Sequence, residues 1–328
     1  MENYSIIKMK FVTPVHIGAG TENYDFSSSD LHSDTLTAAL AAIRAQHGRS
    51  EDLEGFMASF ALSSAFPYSG DSLFLPKPMG KMQVKVKGKE EHEFRKEIKK
   101  IKFIESDLYD VLAKGECLEV DDEQLEGAFL LKQAVNWKQP YMNHVNQRVS
   151  IPRDGGEADP FFFDWRYFND NAGLYCITDA TGELLEELLQ LFRELGEIGV
   201  GTDKNVGGGK FLVERAELKL TLPENANAMM LLSLYIPAEE EIEGLQLEKA
   251  KYSLLLRGGY MAGSSSESLR HLWKKSIYMF GAGSVFPTRE FPKGKIVNLA
   301  PKWNDERAHP VYRSGIPFYI PIKLVDYE

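Results

Sequence analysis

The sequence predicts an α+β protein of two domains, residues 1–221 and 222–328. Three observations lead there. A chain of 328 residues is long enough to bury two cores. Its apolar and charged shares, 43% and 26%, are those of ordinary globular proteins. In each half, strand-like and helix-like stretches follow one another in mixed order, which points to α+β layers.

Residues 4–12 (YSIIKMKFV) mix alternation with β-branched side chains and stop before Pro14, as a strand does. A polar loop over 18–30 follows. LHSDTLTAALAAIRAQHG then reads as a helix with Ser33 or Asp34 at its N-cap, a buried stripe of Leu36, Leu40 and Ile43, and Gly48 as its stop. The LPKPMGK turn and the alternating QVKVK after it predict a projecting, basic, partly mobile insertion over 74–102. Strands are expected at 129–135 and 173–177. Between them, NHVNQRVSIPRDGGEADPFFFDWRYF predicts a hairpin with its tip at Asp154, Gly155 and Gly156. GELLEELLQLFRELG is the clearest helix, with Leu184, Leu185, Leu188, Leu189, Phe192 and Leu195 on one face. A glycine-rich loop joins it to the strand KFLVERAELKL. From Ala228 onward MMLLSLYI, KYSLLLRGGYM, SIYMFGAGSVF and FYIPIKLV are four strand candidates, with a helical stretch at 264–275.

A net charge of −10 argues against a general nucleic-acid-binding surface, so RNA contact would have to come from local basic patches. The charge is segregated. Residues 77–102 hold ten Lys or Arg against four Glu, whereas 105–126 hold nine acids against Lys114 alone. The acidic run reads as a solvated face or a protein-docking face. Cys117 and Cys176 are isolated, which fits a reducing cytoplasm without disulfide framework or zinc site. MENYSIIKMKF lacks the apolar core of a signal peptide, and no run is apolar enough to span a membrane. A soluble cytoplasmic protein without membrane contact is expected.

The loop LGEIGVGTDKNVGGGKF contains six glycines together with Lys204 and Lys210. It runs from helix to strand, the reverse of a dinucleotide fingerprint, and Lys204 stands where the third glycine belongs. Read as a phosphate loop of nucleoside triphosphatases, it has Lys204 in the first-glycine position and Phe211 in place of the magnesium-binding hydroxyl. What remains is either an extended backbone that lies along a ribose-phosphate chain or a plain connector. Catalytic motifs are weak. The seven histidines show no metal-ligand spacing, and there is no nucleophile elbow. His16 and His32 are the pair closest to a general acid/base arrangement, with structural or RNA-bonding roles as the alternative.

Nine segments in order resemble one family: TPVHIGAG, LHSDTL, FLPKP, NQRVSIPR, NAGLYCI, the glycine loop, LLLRGGYM, SIYMFGAGSVF and HPVYRSGIPFYIPI. The chain resembles the fourth-subunit family of the type III-A (Csm) CRISPR effector complex, within the RAMP superfamily. The resemblance implies two tandem ferredoxin-like domains, akin to RNA recognition motifs, and a subunit without cofactor or metal that does not itself cleave. Its implied partners are the repeat-derived 5′ tag of the CRISPR RNA, the large polymerase-like signalling subunit and the backbone RAMP subunit, with target RNA met only indirectly. The alternative within the superfamily is a metal-independent CRISPR-repeat endoribonuclease using His16 or His32.

Holding a short RNA tag requires phosphate contacts, close backbone approach and stacked bases. The candidate contacts are therefore His16 and Gly18, then Ser33, Asp34 and Thr35 at the first helix N-terminus, and Lys77 in the insertion. Arg148, Ser150 and Arg153 alternate on the hairpin, where the arginines either clamp phosphate or pair with a surface carboxylate. In the loop they are Gly199, Gly201, Lys204, Gly207, Gly208, Gly209 and Lys210. Arg257, Gly258 and Tyr260 combine cation, open backbone and ring, although Tyr260 also reads as core. Gly281, Gly283 and Ser284 permit close approach or mark a strand-end turn. One departure from the family pattern is Pro152, where an acid is expected between the two hairpin arginines.

Overall fold

The computed structural model describes residues 2–18, 30–151, 157–261, 267–288, 291–301 and 309–324. An eight-stranded sheet forms its centre. The strand Glu2–Phe11 lies between Phe211–Leu220, at one edge, and Ala172–Thr178; beyond the latter come Phe66–Ser69, Ser72–Pro76, Phe103–Glu105, Phe129–Leu130 and, at the far edge, Leu125–Glu126. The first strand pairs antiparallel with both neighbours. With the helices Ser33–Gln46 and Gly182–Ile198, the chain follows a βαββαβ path whose last strand lies beside its first.

The period-two alternation of the first strand divides the core. Ile7, Met9 and Phe11 pack with Leu36, Leu40, Leu188 and Phe192 under the two helices. Ile6 points the other way and joins Tyr175, Ile177, Met230 and Ile320. The sheet is thus covered by helices on one face and by the C-terminal strands on the other. Residues from both sides of position 221 share that second cluster. The helix stripes fall nearly as expected, with Leu36, Leu40, Ile43, Leu185, Leu188, Leu189, Phe192 and Leu195 all buried, each contributing about 2 kcal/mol, and Leu184 only partly so.

The hairpin forms from Tyr141–Ser150 and Asp159–Phe168, in register from Tyr141 opposite Phe168 to Ser150 opposite Asp159. Its tip, with Arg153, lies outside the described residues. The basic insertion is folded rather than projecting. Val84–Val86 pairs in parallel with Leu118–Val120, and the helix Glu91–Lys100 starts on a capping box of Glu90 and Glu93. Val86, Phe94, Ile101 and Phe103 enter the main core cluster. The apolar residues interleaved among the lysines suffice to fold the segment inward.

In the C-terminal part, Ala228–Leu231 lies between Val285–Phe286 and Tyr319–Ile322, and two ribbons pair Leu254–Arg257 with Ile277–Phe280 and Ile296–Asn298 with Tyr312–Ser314. The α-helix expected over 264–275 does not form among the described residues. Glu267–Leu269 is a single 3-10 turn. Past it, Trp273 bridges Tyr260 in antiparallel fashion, and the Met261 N–H donates to the Leu272 carbonyl at 2.9 Å, which holds the chain extended. No described residue after 222 is α-helical, so this part does not repeat the βαββαβ path of the first. Among the described residues no helix is long and apolar enough to cross a membrane.

Candidate nucleic-acid interface

Three stretches distant in sequence meet in one knot: the exit of the first strand, the hairpin, and the glycine loop. Val15 and Arg166 exchange backbone hydrogen bonds of 3.0 Å, docking the hairpin on the strand exit. The Thr202 N–H donates to the His16 carbonyl at 3.1 Å, the Gly209 N–H to the Pro14 carbonyl at 2.8 Å, and the Lys210 N–H to Thr13 Oγ1 at 2.8 Å. Arg148 reaches across from the hairpin to donate to Asp203 at 2.7 Å. Its guanidinium lies over the rings of Phe163 and Trp165, at 4.6 and 5.2 Å.

The loop is compact, which corrects the extended backbone expected of it. The Val200 N–H donates to the Gly209 carbonyl at 3.0 Å, and a 3-10 turn at Lys204–Val206 forms the tip. Gly199, Gly201, Gly207 and Gly209 all have positive φ. A Cβ on Gly201 would lie 2.2 Å from the His16 carbonyl oxygen, one on Gly209 1.9 Å from that of Val200, and one on Gly199 2.4 Å from that of Gly208. A Cβ on Gly208 would meet the Trp165 ring at 2.8 Å, and one on Gly18 the Thr202 methyl at 2.9 Å. These glycines let the chain approach itself. Only at Gly207 is the space open. What the loop presents outward is its tip, with Lys204, Asn205 and Val206 exposed, and Lys210 beside it. Arg148 is partly exposed and Ser150 exposed, on the same face of the hairpin strand.

His16 is buried under the knot, its Nδ1 2.8 Å from the Asp164 carbonyl and its ring 4.4 Å from that of Phe163. Burial, assisted by the charge of Arg257 and opposed by Asp30, pulls the His32 imidazole down to about 4, and its buried Nδ1 has no hydrogen-bond partner among the described residues. His32 is therefore neutral at neutral pH and too weak a base to pull strongly on a hydroxyl proton.

The first helix N-terminus, where Ser33, Asp34 and Thr35 are candidate RNA contacts, is filled largely from within the chain. Helix Ser33–Gln46 starts after His32. The Ser33 N–H donates to Ser64 Oγ at 3.2 Å, and Ser33 Oγ accepts the Leu234 N–H at 2.9 Å. Asp34 is fully buried and accepts from Arg257 at 2.9 and 3.2 Å, and from Arg313. Arg257 also donates to Thr35 Oγ1 at 2.9 Å. Burial lowers the pKa of both guanidiniums, that of Arg313 to about 10. A buried carboxylate persists only when paired and hydrogen-bonded, and Arg313, which the sequence reading missed, completes the pairing. Its signal was a single arginine inside the apolar run VYRSGIPFYI.

The last candidates divide in the same way. Gly281, Gly283 and Ser284 are buried in a turn fastened to the start of the insertion. The Met79 N–H donates to the Gly283 carbonyl at 2.8 Å, and a Cβ on Gly283 would lie 3.0 Å from the Lys77 carbonyl. Lys77 turns its own Nζ to the Ile98 carbonyl at 3.1 Å, and burial lowers its pKa. A Cβ on Gly258 would lie 2.5 Å from Ser276 Oγ. Tyr260 is not core: it is 43% exposed and packs at 4.3 Å on Trp273, itself 56% exposed, next to the strand that ends in Arg257.

Residues 8–212 match the family model of the RAMP superfamily, and 224–322 that of the CRISPR Csm4 C-terminal domain. The chain belongs to the RAMP superfamily and, within it, to the Csm4 family. It is similar to the CRISPR system protein Csm4 of Mycobacterium tuberculosis, 25% identical over 303 residues that cover 92% of this chain and 93% of the relative. The Csm4 of Thermococcus onnurineus is also 25% identical, over 264 residues covering 77% and 83%. Among solved structures, the fold is similar to a chain of a Csm1–Csm4 cassette in complex with cA4, with a TM-score of 0.61 at 19% identity over 99% of this chain and 100% of the other. A chain of a Csm3–Csm4 subcomplex from the type III-A CRISPR-Cas interference complex gives 0.59 at 18% identity, over 98% and 100%.

Proposed function

We propose that this chain is a non-catalytic RNA-binding and scaffold subunit of a type III-A CRISPR interference complex that holds the repeat-derived 5′ tag of the CRISPR RNA. The observation that carries this reading is the convergence of Lys204, Lys210 and Arg148 on the outer side of one knot, on a mount whose shape is fixed by glycine packing. Cations held on a rigid mount suit a phosphate backbone, and the exposed Tyr260–Trp273 pair suits base stacking. Holding is favoured over cutting by the burial of His16 and the low basicity of His32.

Relatives of the same fold are found with Csm1 and with Csm3. On that likeness the chain bridges the large polymerase-like signalling subunit to the backbone RAMP subunit, in the cytoplasm, and meets target RNA only through the assembly. The βαββαβ path within 1–221 supports a ferredoxin-like domain there. Residues 222–328 are then the second domain, reduced largely to strands.

Replacing Arg148, Lys204 and Lys210 together by alanine tests the reading on repeat-derived RNA. Loss of three phosphate contacts lowers the slope of log affinity against log salt by about 2, at roughly 0.7 per phosphate for a single strand. Unchanged affinity and slope in a folded variant would leave the knot a purely structural device.

A further inference from the structure

The folded insertion contains an open groove of about 970 Å³ that the knot does not use. One wall is the stretch 80–89 around the strand Val84–Val86. The other is the helix Glu91–Lys100, which turns Glu91, Phe94, Arg95, Ile98 and Lys99 to it, positions three and four apart on one face. Seven Lys or Arg line the groove against three Glu. Phe94 and Val86 are buried at its floor, whereas Lys85, Lys87, Lys89, Arg95 and Lys99 are exposed along both rims. Lys87 and Lys89 touch Asp121 and Asp122 at 3.1 and 2.5 Å. Exposed pairs of this kind contribute at most about 1 kcal/mol each, so both lysines exchange readily onto another anion. Lys85, Arg95 and Lys99 make no ion pair among the described residues.

The composition distinguishes between occupants. Protein-binding patches are rich in Tyr, Trp and Arg and poor in Lys. Here lysine is the commonest residue of the lining, six of eighteen, and the one aromatic ring of the lining is sunk in the floor. Lysine rims on two walls of an open groove suit a strand of phosphates, contacted without regard to base. The position is also distinct. The glycine loop leads into one edge strand of the central sheet, whereas the insertion helix leads into Phe103–Glu105, five strand spacings or roughly 24 Å from it.

We propose that this groove is a second RNA-binding tract, which takes the sugar-phosphate backbone of single-stranded RNA independently of sequence and independently of the knot. The test uses the full chain and a labelled oligouridylate carrying no repeat-derived sequence, titrated at several salt concentrations. In the variant Lys85→Ala/Arg95→Ala/Lys99→Ala the affinity is expected to fall about tenfold and the salt slope by about 2. The knot variant is expected to keep the contribution of the groove. As a readout free of any substitution, photo-crosslinking of a 4-thiouridine oligomer to the unaltered chain is expected to label peptides within 77–102. Unchanged affinity and slope together with no crosslink in that segment overturn the proposal. Loss of a protein subunit from the assembled complex, with RNA binding intact, overturns it in favour of an acidic protein face.

Discussion

Asp34→Ala is expected to be the most damaging single change at the seam between the two parts of the chain. The carboxylate is fully buried and receives both Arg257, at 2.9 and 3.2 Å, and Arg313. Its removal leaves two largely buried cations facing each other without a counter-charge among the described residues, of which only the Thr35 hydroxyl still accepts from one of them. Breaking a buried pair in this way costs about 3–5 kcal/mol, against a total stability on the order of 5–15 kcal/mol for a folded chain. Urea unfolding followed by circular dichroism reads the loss as a lower midpoint at unchanged slope. Adding Arg313→Leu to the first change removes one of the stranded cations, so the double variant is expected to recover about 1–3 kcal/mol of the loss. A single-variant cost below about 1 kcal/mol, or strictly additive costs, refutes the buried pairing. The same variant, where folded, is expected to keep its salt slope on repeat-derived RNA, because Asp34 and its helix N-terminus face inward.

The histidine and glycine readings give two further outcomes. The folded-state pKa of His32, about 4, lies below the ordinary 6.5, so the unfolded chain binds a proton that the fold refuses as pH falls between these values. Stability is full above about 6.5 and declines by up to about 3 kcal/mol toward pH 4; His32→Gln is expected to flatten that slope in unfolding titrations, and an unaltered slope rejects the assignment. Gly201→Ala, with φ of +95° and a Cβ 2.2 Å from the His16 carbonyl, is expected to destabilise far more than Gly207→Ala, with φ of +88° in open space. The latter is expected to cost only about 1–2 kcal/mol. Equal costs in urea unfolding would contradict the packed form of the loop.

Local periodicity made the two long helices and several strands legible, whereas the helix Glu91–Lys100 was not foreseen and the one expected over 264–275 does not form among the described residues. The leucine spacing in GELLEELLQLFRELG and the alternation of YSIIKMKFV each encode their buried face within one element. The insertion was misread because its lysines dominate the composition while Val86, Phe94 and Ile101 decide its packing. The glycine loop illustrates a deeper difficulty. Its residues announce close approach, but the atoms approached, the His16 carbonyl and the Trp165 ring, come from elsewhere in the chain. Asp34 and Arg313 are 279 positions apart, and no spacing rule links them. For Arg148 the two readings coexist, because its carboxylate partner, Asp203, belongs to the same loop whose lysines face outward.

The central claim is that this chain holds repeat-derived RNA without cutting it. Incubating the purified protein with end-labelled repeat-derived RNA in EDTA, then resolving the mixture on native and denaturing gels, tests it directly. The account predicts a shifted band containing full-length RNA, weakened by replacement of Arg148, Lys204 and Lys210. Shortened RNA on the denaturing gel, abolished by a substitution at His16 or His32, would contradict it and make the protein a nuclease.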